Sequence, residues 1–318
     1  MRGILGLIPS CLIVLGATFG QAGAAGSAPP TPGSRLSVPG GEIWYRVVGK
    51  DGATPVILIH GGPGNSSVYL KSLEALGDER RVIRYDQLGG GYSDVVHDTT
   101  LFTIRRFVDE LEQLRRHLSL DRVHLYGHSW GATLALEYYR AHPDHVRSLV
   151  LASETLEMPA FAAHVRQLFS EMPDSLSRAV RLRDAGQPFD STALRSAMMQ
   201  FRSHFTRTPV RAEMDSLSQL MNPAVSTYMN GTSPFTPNGT LRDYDATPFL
   251  REIRVPVLFT VGQFDVAGPE NVKRHASLTP GARFVMIEGA GHHTQWDNLN
   301  ATLAAVRSFL RDSDSRNR

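Results

Sequence analysis

Three residues of this sequence are of the types that together perform nucleophilic catalysis: Ser129, Asp265 and His292. A serine hydroxyl is a poor nucleophile at neutral pH, so it needs a histidine base, and that base needs an acidic partner that fixes its tautomer. The order along the chain, serine, then aspartate, then histidine, is the order found with serines at a strand–turn–helix junction. We therefore predict that Ser129 is the nucleophile, His292 the base and Asp265 the group that orients the base.

The candidate nucleophile lies in a pattern that predicts its local structure. Residues 122–135 read RVHLYGHSWGATLA, an apolar strand, a G-x-S-x-G sequence and an apolar-rich helix. Glycines on both sides of Ser129 let the strand and the helix pass at a distance that a Cβ atom would block. The serine hydroxyl then lies at the helix N-terminus, where the helix dipole favours developing negative charge. A tight turn with an incidental serine is the alternative, and the candidate partners in the required order argue against it.

Two glycine-rich loops follow predicted strands. HGGPG at 60–64 leaves backbone N–H groups free to bind an anion, so it is the natural second half of an oxyanion hole, although a plain turn is the alternative. DQLGGGYS at 86–93 lacks the lysine and the helix start of a phosphate-binding loop. We therefore expect anion stabilisation at the first loop and no nucleotide binding at the second.

His293 is the rival candidate for the base. Neighbouring residues of a loop direct their side chains differently, so only one of the two histidines can serve Ser129. The small residues at 289–291 favour His292 as the residue that turns toward the serine. The other histidines near these motifs are expected to be hydrogen-bonded structural residues: His60, His128 and His204.

The composition is that of a globular enzyme. The chain has 318 residues, of which 42% are hydrophobic and 20% charged, and this length is enough for one large domain with an insertion or for two modest domains. The formal net charge is +2 and the basic residues are scattered, so we expect no nucleic-acid partner. Because no cofactor motif and no metal-ligand motif is present, we predict a small-molecule or short-peptide substrate, no cofactor and no metal. The sequence does not specify an oligomeric state.

The N-terminus has the pattern of a secretory signal peptide over residues 1–24. Arg2 precedes an apolar run, and Ala22-Gly23-Ala24 offers a cleavage site, with an uncleaved anchor as the alternative. The run is short for a membrane span, so we predict a secreted or periplasmic protein without a stable membrane span after cleavage. The single cysteine, Cys11, lies in this segment, so the mature protein has no thiol. Residues 25–40 are predicted to be a flexible leader.

Strands and helices alternate over residues 41–153 and 246–318, which predicts an α/β core with a mostly parallel sheet. Catalytic groups then belong at the carboxyl ends of the strands, where the three candidates lie. Residues 154–245 contain no buried strand and show helical spacing, which predicts a helical cap inserted after a core strand. The predicted strands are 42–48, 55–60, 81–85, the short one around Val123 and Leu125, 146–151, 255–261 and 283–287. The predicted core helices are 68–76, 103–118, the one after Ser129, and 299–310.

Five motifs together resemble those of the proline iminopeptidase family of α/β-hydrolases. They are HGGPG at 60–64, DQLGGGYS at 86–93, GHSWG at 127–131, VGQFD at 261–265 and GAGHHTQWD at 289–297. The resemblance extends over residues 43–310 and includes NGTSPF and RDYD in the cap. It implies an α/β-hydrolase fold with a helical cap.

The resemblance also implies roles for individual residues. Ser129, Asp265 and His292 correspond to the catalytic triad, and the backbone N–H groups of Gly62 and Trp130 correspond to the oxyanion hole. The implied activity is release of an N-terminal residue, often proline, from a short peptide or amide.

Two positions depart from the family's pattern. Members of the family usually carry a glutamate in the cap motif NGxxEF and often an acidic residue just after the catalytic aspartate, and these pair with the free amino group of the substrate. Here the two positions are Pro234 and Val266. Three acidic residues elsewhere are candidates to replace them: Glu154, Glu157 and Asp297. The departure keeps open an alternative function, an esterase or lactonase that uses the same triad on small uncharged acyl groups.

Two further interpretations are disfavoured. A hydrolase-fold protein that only binds ligands has no need of a complete triad, so we expect an enzyme.

Four asparagines lie in N-x-S/T triplets, the pattern of N-glycosylation sites: Asn65, Asn230, Asn238 and Asn300. Because a glycan on Asn65 would obstruct the neighbouring HGGPG loop, we expect these triplets to be unmodified.

Overall fold

The computed structural model describes residues 32–232 and 237–315. The predicted signal peptide, the first part of the predicted leader and Pro234 lie outside the described residues. Within the two described ranges, no helix combines the length and the apolar character that crossing a membrane requires.

Eight strands form one sheet in the order β1-β2-β4-β3-β5-β6-β7-β8. The pairings of β1 with β2 and of β2 with β4 are antiparallel, and all the others are parallel. The predicted α/β fold with a mostly parallel sheet and flanking helices is therefore confirmed. The strands are β1 (Ser34–Val38), β2 (Gly41–Val48), β3 (Val56–Ile59), β4 (Val82–Asp86), β5 (Val123–His128), β6 (Val146–Ala152), β7 (Val257–Gly262) and β8 (Arg283–Ile287).

Helices cover both faces of the sheet because its buried strands alternate their side chains between two apolar layers. Along β3, Ile57 and Ile59 pack in one layer, whereas Val56 and Leu58 pack in the other. The helices are α1 (Ile104–His117), α2 (Trp130–Ala141), α3 (Met158–Ser170), α4 (Asp174–Asp184), α5 (Ser191–Arg202), α6 (Arg211–Leu220), α7 (Pro223–Met229), α8 (Thr247–Leu250), α9 (Pro269–Leu278), α10 (Thr294–Asp297) and α11 (Leu299–Ser315), with 3₁₀ helices at Ser67–Asp78, Thr99–Leu101 and Pro143–His145.

The prediction that residues 25–40 form a flexible leader is wrong in its C-terminal part. Strand β1 pairs with β2 from Ser34 opposite Tyr45 to Val38 opposite Gly41. The side chain of Arg35 donates to Glu42 over 2.9 Å and so reinforces this pairing. The sheet therefore begins at its antiparallel edge, one strand earlier than the sequence pattern indicated.

Helix α9 was not predicted from the sequence. Its buried face consists of Val272, His275 and Ala276, so it lacks the apolar stripe that marks an amphipathic helix. It begins shortly after Asp265 and packs against β7 and β8. The helix predicted at 68–76 is a 3₁₀ helix at Ser67–Asp78, and α11 extends five residues beyond the predicted end at 310.

Five helices, α3 to α7, occupy the region predicted to be a cap. The cap has an apolar core of its own, which includes Val165, Phe169, Phe201 and, from the hydrolase core, Val266. At its base the two chain crossings run antiparallel, because Met158 N donates to Tyr244 O and Ala246 N donates to Leu156 O, each over 2.9 Å. These bonds close the insertion where it leaves and rejoins the core.

The C-terminal end of α11 is anchored by Asp314 beneath the sheet. Its carboxylate accepts a hydrogen bond from Arg80 over 3.0 Å and lies 3.1 Å from Nε2 of His124, whose Nδ1 lies 2.7 Å from Ser148 Oγ. A serine, a histidine and an aspartate therefore meet here too, but Ser148 and His124 are 0% exposed. Because no substrate can reach them, this chain of polar groups is structural.

We predict that Asp314→Ala lowers the free energy of unfolding by about 3 kcal/mol, because it leaves the buried Arg80 guanidinium without its carboxylate. The matched control is Asp312→Ala on the same helix. Its partner Arg283 and Asp312 itself are 39% and 49% exposed, so this loss is expected to be less than about 1 kcal/mol. Urea denaturation of both variants measures the difference, and equal losses would contradict the anchoring role.

Candidate active site

Ser129 occupies a sharp, strained turn between β5 and α2. Its backbone has φ 57° and ψ −123°, in the left-handed half of conformational space that non-glycine residues rarely adopt. A Cβ atom on Gly127 would lie 2.2 Å from Gly131 O, and one on Gly131 would lie 2.2 Å from Ile59 O. Both flanking glycines are thus required by close backbone contacts, as the sequence motif predicted.

His292 and Asp265 are joined by a 2.7 Å hydrogen bond between Nδ1 and Oδ1. Asp265 is 1% exposed and also accepts from the backbone N–H of Ala267 over 2.8 Å. Burial acts to raise the pKa of this carboxyl, but the nearby His292 and the hydrogen bonds to the carboxylate outweigh it and leave the pKa below its usual value. With Nδ1–H donated to Asp265, Nε2 is the ring nitrogen that remains to exchange a proton with a substrate or a nucleophile.

Ser129 and His292 line the same two cavities. The structure therefore brings together the three residues selected from the sequence, although they come from three different loops at the carboxyl ends of β5, β7 and β8.

The rival histidine, His293, has different surroundings. It is buried, and its ring stacks on His128 with ring centres 5.5 Å apart and packs against Trp296. Burial, together with the neighbouring histidines, holds the pKa of His293 well below its usual value. Its Nδ1 has no hydrogen-bond partner within the described part of the chain. Without a carboxylate at that nitrogen, the geometry favours His292 as the base.

His128 and Tyr69 form a neutral hydrogen-bond chain next to Ser129. His128 Nε2 donates to the carbonyl of His292 over 2.8 Å, so its Nδ1 accepts from the Tyr69 hydroxyl over 2.9 Å. Burial and the adjacent His292 lower the pKa of His128 to about 3, which keeps the imidazole ring neutral. The Tyr69 hydroxyl in turn accepts from Gly61 N over 2.6 Å. The predicted structural role of His128 is therefore supported, and Tyr69 supports the HGGPG loop.

The other two histidines are also held by hydrogen bonds. His60 Nδ1 donates to Gly61 O over 2.8 Å, and His204 Nδ1 donates to Phe264 O over 2.8 Å. Both observations agree with the structural roles expected from the sequence.

The two residues predicted to supply the oxyanion hole lie beside Ser129. Trp130 is the first residue of α2, so its N–H has no partner within the helix. Gly62 lines both cavities with Ser129, and a Cβ on the preceding Gly61 would lie only 3.0 Å from Ser129 Cβ. The Gly62 carbonyl accepts from Asn230 of the cap over 3.0 Å, which ties the Gly62–Pro63 peptide of the loop to the cap.

Gln87 connects these two elements, and its role was missed from the sequence. Its side chain donates to His60 O over 2.9 Å and accepts from the Trp130 indole N–H over 2.8 Å. Its backbone N–H donates to His60 Nε2 over 3.0 Å. Gln87 directly follows β4, so the rule that the carboxyl ends of parallel strands meet could have identified it.

The two cavities at Ser129 differ in chemistry. We call the first the outer cavity; it has a volume of about 150 Å³, includes polar residues such as Asn65, and reaches the exposed Asp215. We call the second the cap-side cavity; it has a volume of about 70 Å³ and is lined mainly by buried apolar residues. The apolar lining of the cap-side cavity includes Trp130, Met158, Phe161, Phe201, Leu241 and Val266.

None of the three acidic residues considered as partners for a substrate amine lines either cavity. Glu154 is bonded to His275 over 2.6 Å, and Glu157 is bonded to Arg274. Asp297 accepts from the backbone N–H groups of Gly291, Arg207 and Thr208 over 2.7–2.8 Å. Each carboxylate already has partners within the protein, which argues against any of the three as the replacement for the family's acidic residues.

Residues 32–232 and 237–315 contain no group of three histidine, cysteine or acidic side chains arranged to hold a metal ion.

Comparison with known proteins agrees with this geometry. The α/β hydrolase fold family matches residues 54–299. A proline iminopeptidase from Heyndrickxia coagulans is 36% identical over 280 residues, which cover 86% of this chain and 97% of that protein. A crystal structure of proline iminopeptidase from Mycobacterium smegmatis has a TM-score of 0.83 at 28% identity and covers 90% of this chain and 100% of that chain. A thermophilic esterase from Thermogutta terrifontis, 23% identical with a TM-score of 0.66 over 90% of this chain and 100% of that chain, shares the fold.

These similarities extend through the elements that build the site. The family match includes Ser129, Asp265 and His292. The alignment with the relative from Heyndrickxia coagulans covers nearly the whole length of that protein. The chain belongs to the proline iminopeptidase family of α/β-hydrolases.

Proposed function

We propose that this protein is a serine hydrolase that releases an N-terminal residue, proline or another small residue, from short peptides or amides through an acyl-enzyme. One observation carries the proposal: Ser129 lies at a strained strand–helix turn and shares its cavities with His292, which is hydrogen-bonded to Asp265. The proline iminopeptidases to which the chain is similar support the substrate class.

In the proposed first step, Ser129 Oγ attacks the scissile carbonyl carbon while His292 Nε2 accepts the hydroxyl proton. The N–H groups of Gly62 and Trp130 stabilise the oxyanion of the tetrahedral intermediate. The C–N bond then breaks, and the imidazolium proton passes to the leaving amine. Asp265 stays ionised throughout and stabilises the imidazolium, in keeping with its lowered pKa.

In the second step, water enters and gives a proton to His292 Nε2 while its oxygen attacks the acyl-enzyme ester. The ester C–O bond breaks, the proton returns to Ser129, and the free acid leaves. The small, apolar cap-side cavity supports its assignment as the site of the acyl group, and its volume suits a ring or a short side chain.

A second function, hydrolysis of small uncharged esters or lactones, is favoured by one specific observation. Val266 lines the cap-side cavity at a position where the family that the sequence resembles often has an acidic residue, and no aspartate or glutamate of the described residues lines that cavity. A buried ammonium without a carboxylate partner is costly, so an uncharged acyl group suits this cavity better than a free amine.

We predict that Ser129→Ala and His292→Ala each lower kcat about a million-fold, because removal of either nucleophile or base disables the triad. His293→Asn is the matched control, and it should keep most of the activity because His293 has no carboxylate partner. Steady-state kinetics on a proline arylamide measure the three variants.

A fluorophosphonate probe tests the same assignment without a substrate. It should label the wild-type protein and fail to label Ser129→Ala. Labelling of that variant, or a larger loss in the His293 variant than in the His292 variant, would transfer the catalytic roles to other residues.

We predict that acetylation of the substrate amine lowers kcat/KM less than about tenfold, equivalent to about 1.4 kcal/mol. The reason is the absence of an acidic side chain from the described lining of the cap-side cavity. The measurement compares proline arylamide with N-acetylproline arylamide, beside a short-chain nitrophenyl ester. A loss of about a thousandfold would show that the protein binds the free amine and would favour the plain aminopeptidase function.

We also propose that the protein is exported and cleaved near Ala24, which makes it secreted or periplasmic. Arg2, the apolar run and Ala22-Gly23-Ala24 support this proposal. Mass spectrometry of the protein recovered from the periplasm or the medium should find an N-terminus close to Ala25. An intact Met1 in a membrane fraction would be the contrary result.

A further inference from the structure

Arg202 places a positive charge in the outer cavity. It is the last residue of α5 in the cap, is half-buried, and lines the cavity together with Ser129 and His292. Among the described residues, its side chain makes no hydrogen bond and no ion pair. The backbone carbonyl of Arg202, by contrast, accepts from Phe205 and Thr206.

An arginine in this situation is suited to bind an anion. The guanidinium stays charged at all relevant pH values and presents its donors as a planar fork that matches a carboxylate. Other arginines of the cap have partners, such as Arg181 with Asp174 and Arg195 with Thr192. Asp215, which lines the same cavity, is exposed and is already engaged in an interaction within the protein. Arg202 therefore offers hydrogen-bond donors that the described part of the fold does not use.

The two cavities indicate which part of a substrate carries the anion. The cap-side cavity is apolar and small, which suits an uncharged acyl group. The outer cavity is larger and reaches exposed residues, which favours it as the side on which the leaving group enters and departs. The negative charge thus belongs to the leaving group.

We propose that Arg202 binds the carboxylate of the leaving amino acid, so that the preferred substrates are dipeptide-like amides with a free carboxylate next to the scissile bond. This inference rests on the proposed hydrolase function, because it assigns the leaving-group side of that same site. In an acyl-amino acid only one carbon separates the scissile nitrogen from the carboxylate. Arg202 is then a specificity residue that distinguishes a terminal carboxylate from a continuing peptide or an amide.

The test compares prolyl-leucine with prolyl-leucinamide, which differ only in the carboxylate. The readout is the ratio of their kcat/KM values in the wild type, Arg202→Gln, Arg202→Lys and the control Arg195→Gln on the same helix. We expect a ratio of about ten or more in favour of the carboxylate in the wild type, as for a hydrogen bond between charged groups. The ratio should fall close to one in Arg202→Gln, recover in part in Arg202→Lys, and stay at the wild-type value in Arg195→Gln.

A binding measurement separates failure of this inference from failure of the proposed function. Calorimetric titration of Ser129→Ala with prolyl-leucine and prolyl-leucinamide, with and without Arg202→Gln, reports carboxylate binding in the absence of turnover. Turnover of both dipeptides at equal rates, or a ratio that Arg202→Gln leaves unchanged, would overturn the role of Arg202 while the hydrolase function stands. Arg202-dependent binding without any turnover would support the carboxylate site and refute the proposed release of an N-terminal residue, and neither binding nor turnover would refute both.

Discussion

The close backbone approach of β5, α2 and β3 around Ser129 is the constraint on which the rest of the site depends. Gly127 and Gly131 permit it, because a side chain at either position would collide with a neighbouring carbonyl. The carbonyl that Gly131 approaches belongs to Ile59, the last residue of β3, which leads directly into the HGGPG loop. This close contact therefore sets the distance between the start of α2 and the loop of the predicted second oxyanion donor.

Polar residues just beyond the strand ends hold this arrangement in place. Asp86, at the end of β4, is fully buried and accepts from the backbone N–H groups of Ser67 and Tyr92 over 2.5 and 2.8 Å. Gln87 then joins the HGGPG loop to the indole of Trp130. Ser153, after β6, donates to the carbonyl of His292 over 3.1 Å. The loops that carry the candidate catalytic groups are thus fixed to one another by side chains that take no part in the proposed chemistry.

The cap contributes to this fixation as well as to the cavities. The backbone N–H groups of His292 and His293 donate to the carbonyls of His204 and Phe205, each over 2.8 Å. The carboxylate of Asp297 also joins the loop to the cap, because it accepts hydrogen bonds from the backbone N–H groups of Arg207 and Thr208 in the cap and of Gly291 in the loop. Because the loop of the candidate base is bonded to the cap, changes in cap sequence affect both the shape of the cavities and the position of the base. The cap-side cavity and the outer cavity are both built partly from cap residues, Phe201 in the first and Arg202 in the second.

The sequence by itself determined the α/β architecture and the identity of the candidate site residues. The alternation of apolar strands with helices and the glycines around Ser129 are local patterns. Such patterns can be recognised in the sequence without any information on distant contacts. It also indicated His292 ahead of His293, although both histidines lie in the same short loop. It missed α9, whose buried face includes the polar His275, and β1, whose pairing depends on the neighbouring strand.

Only the tertiary structure decided how the charged residues are used. Glu154, Glu157 and Asp297 were all acceptable partners for a substrate amine from the sequence, and each is instead bonded within the protein. Arg202 gave no signal in the sequence, yet it lines the cavity that holds Ser129. The physical reason is that a charge acts through its partners at hydrogen-bond distance, and those partners come from chain segments that the fold, and not the sequence spacing, brings together.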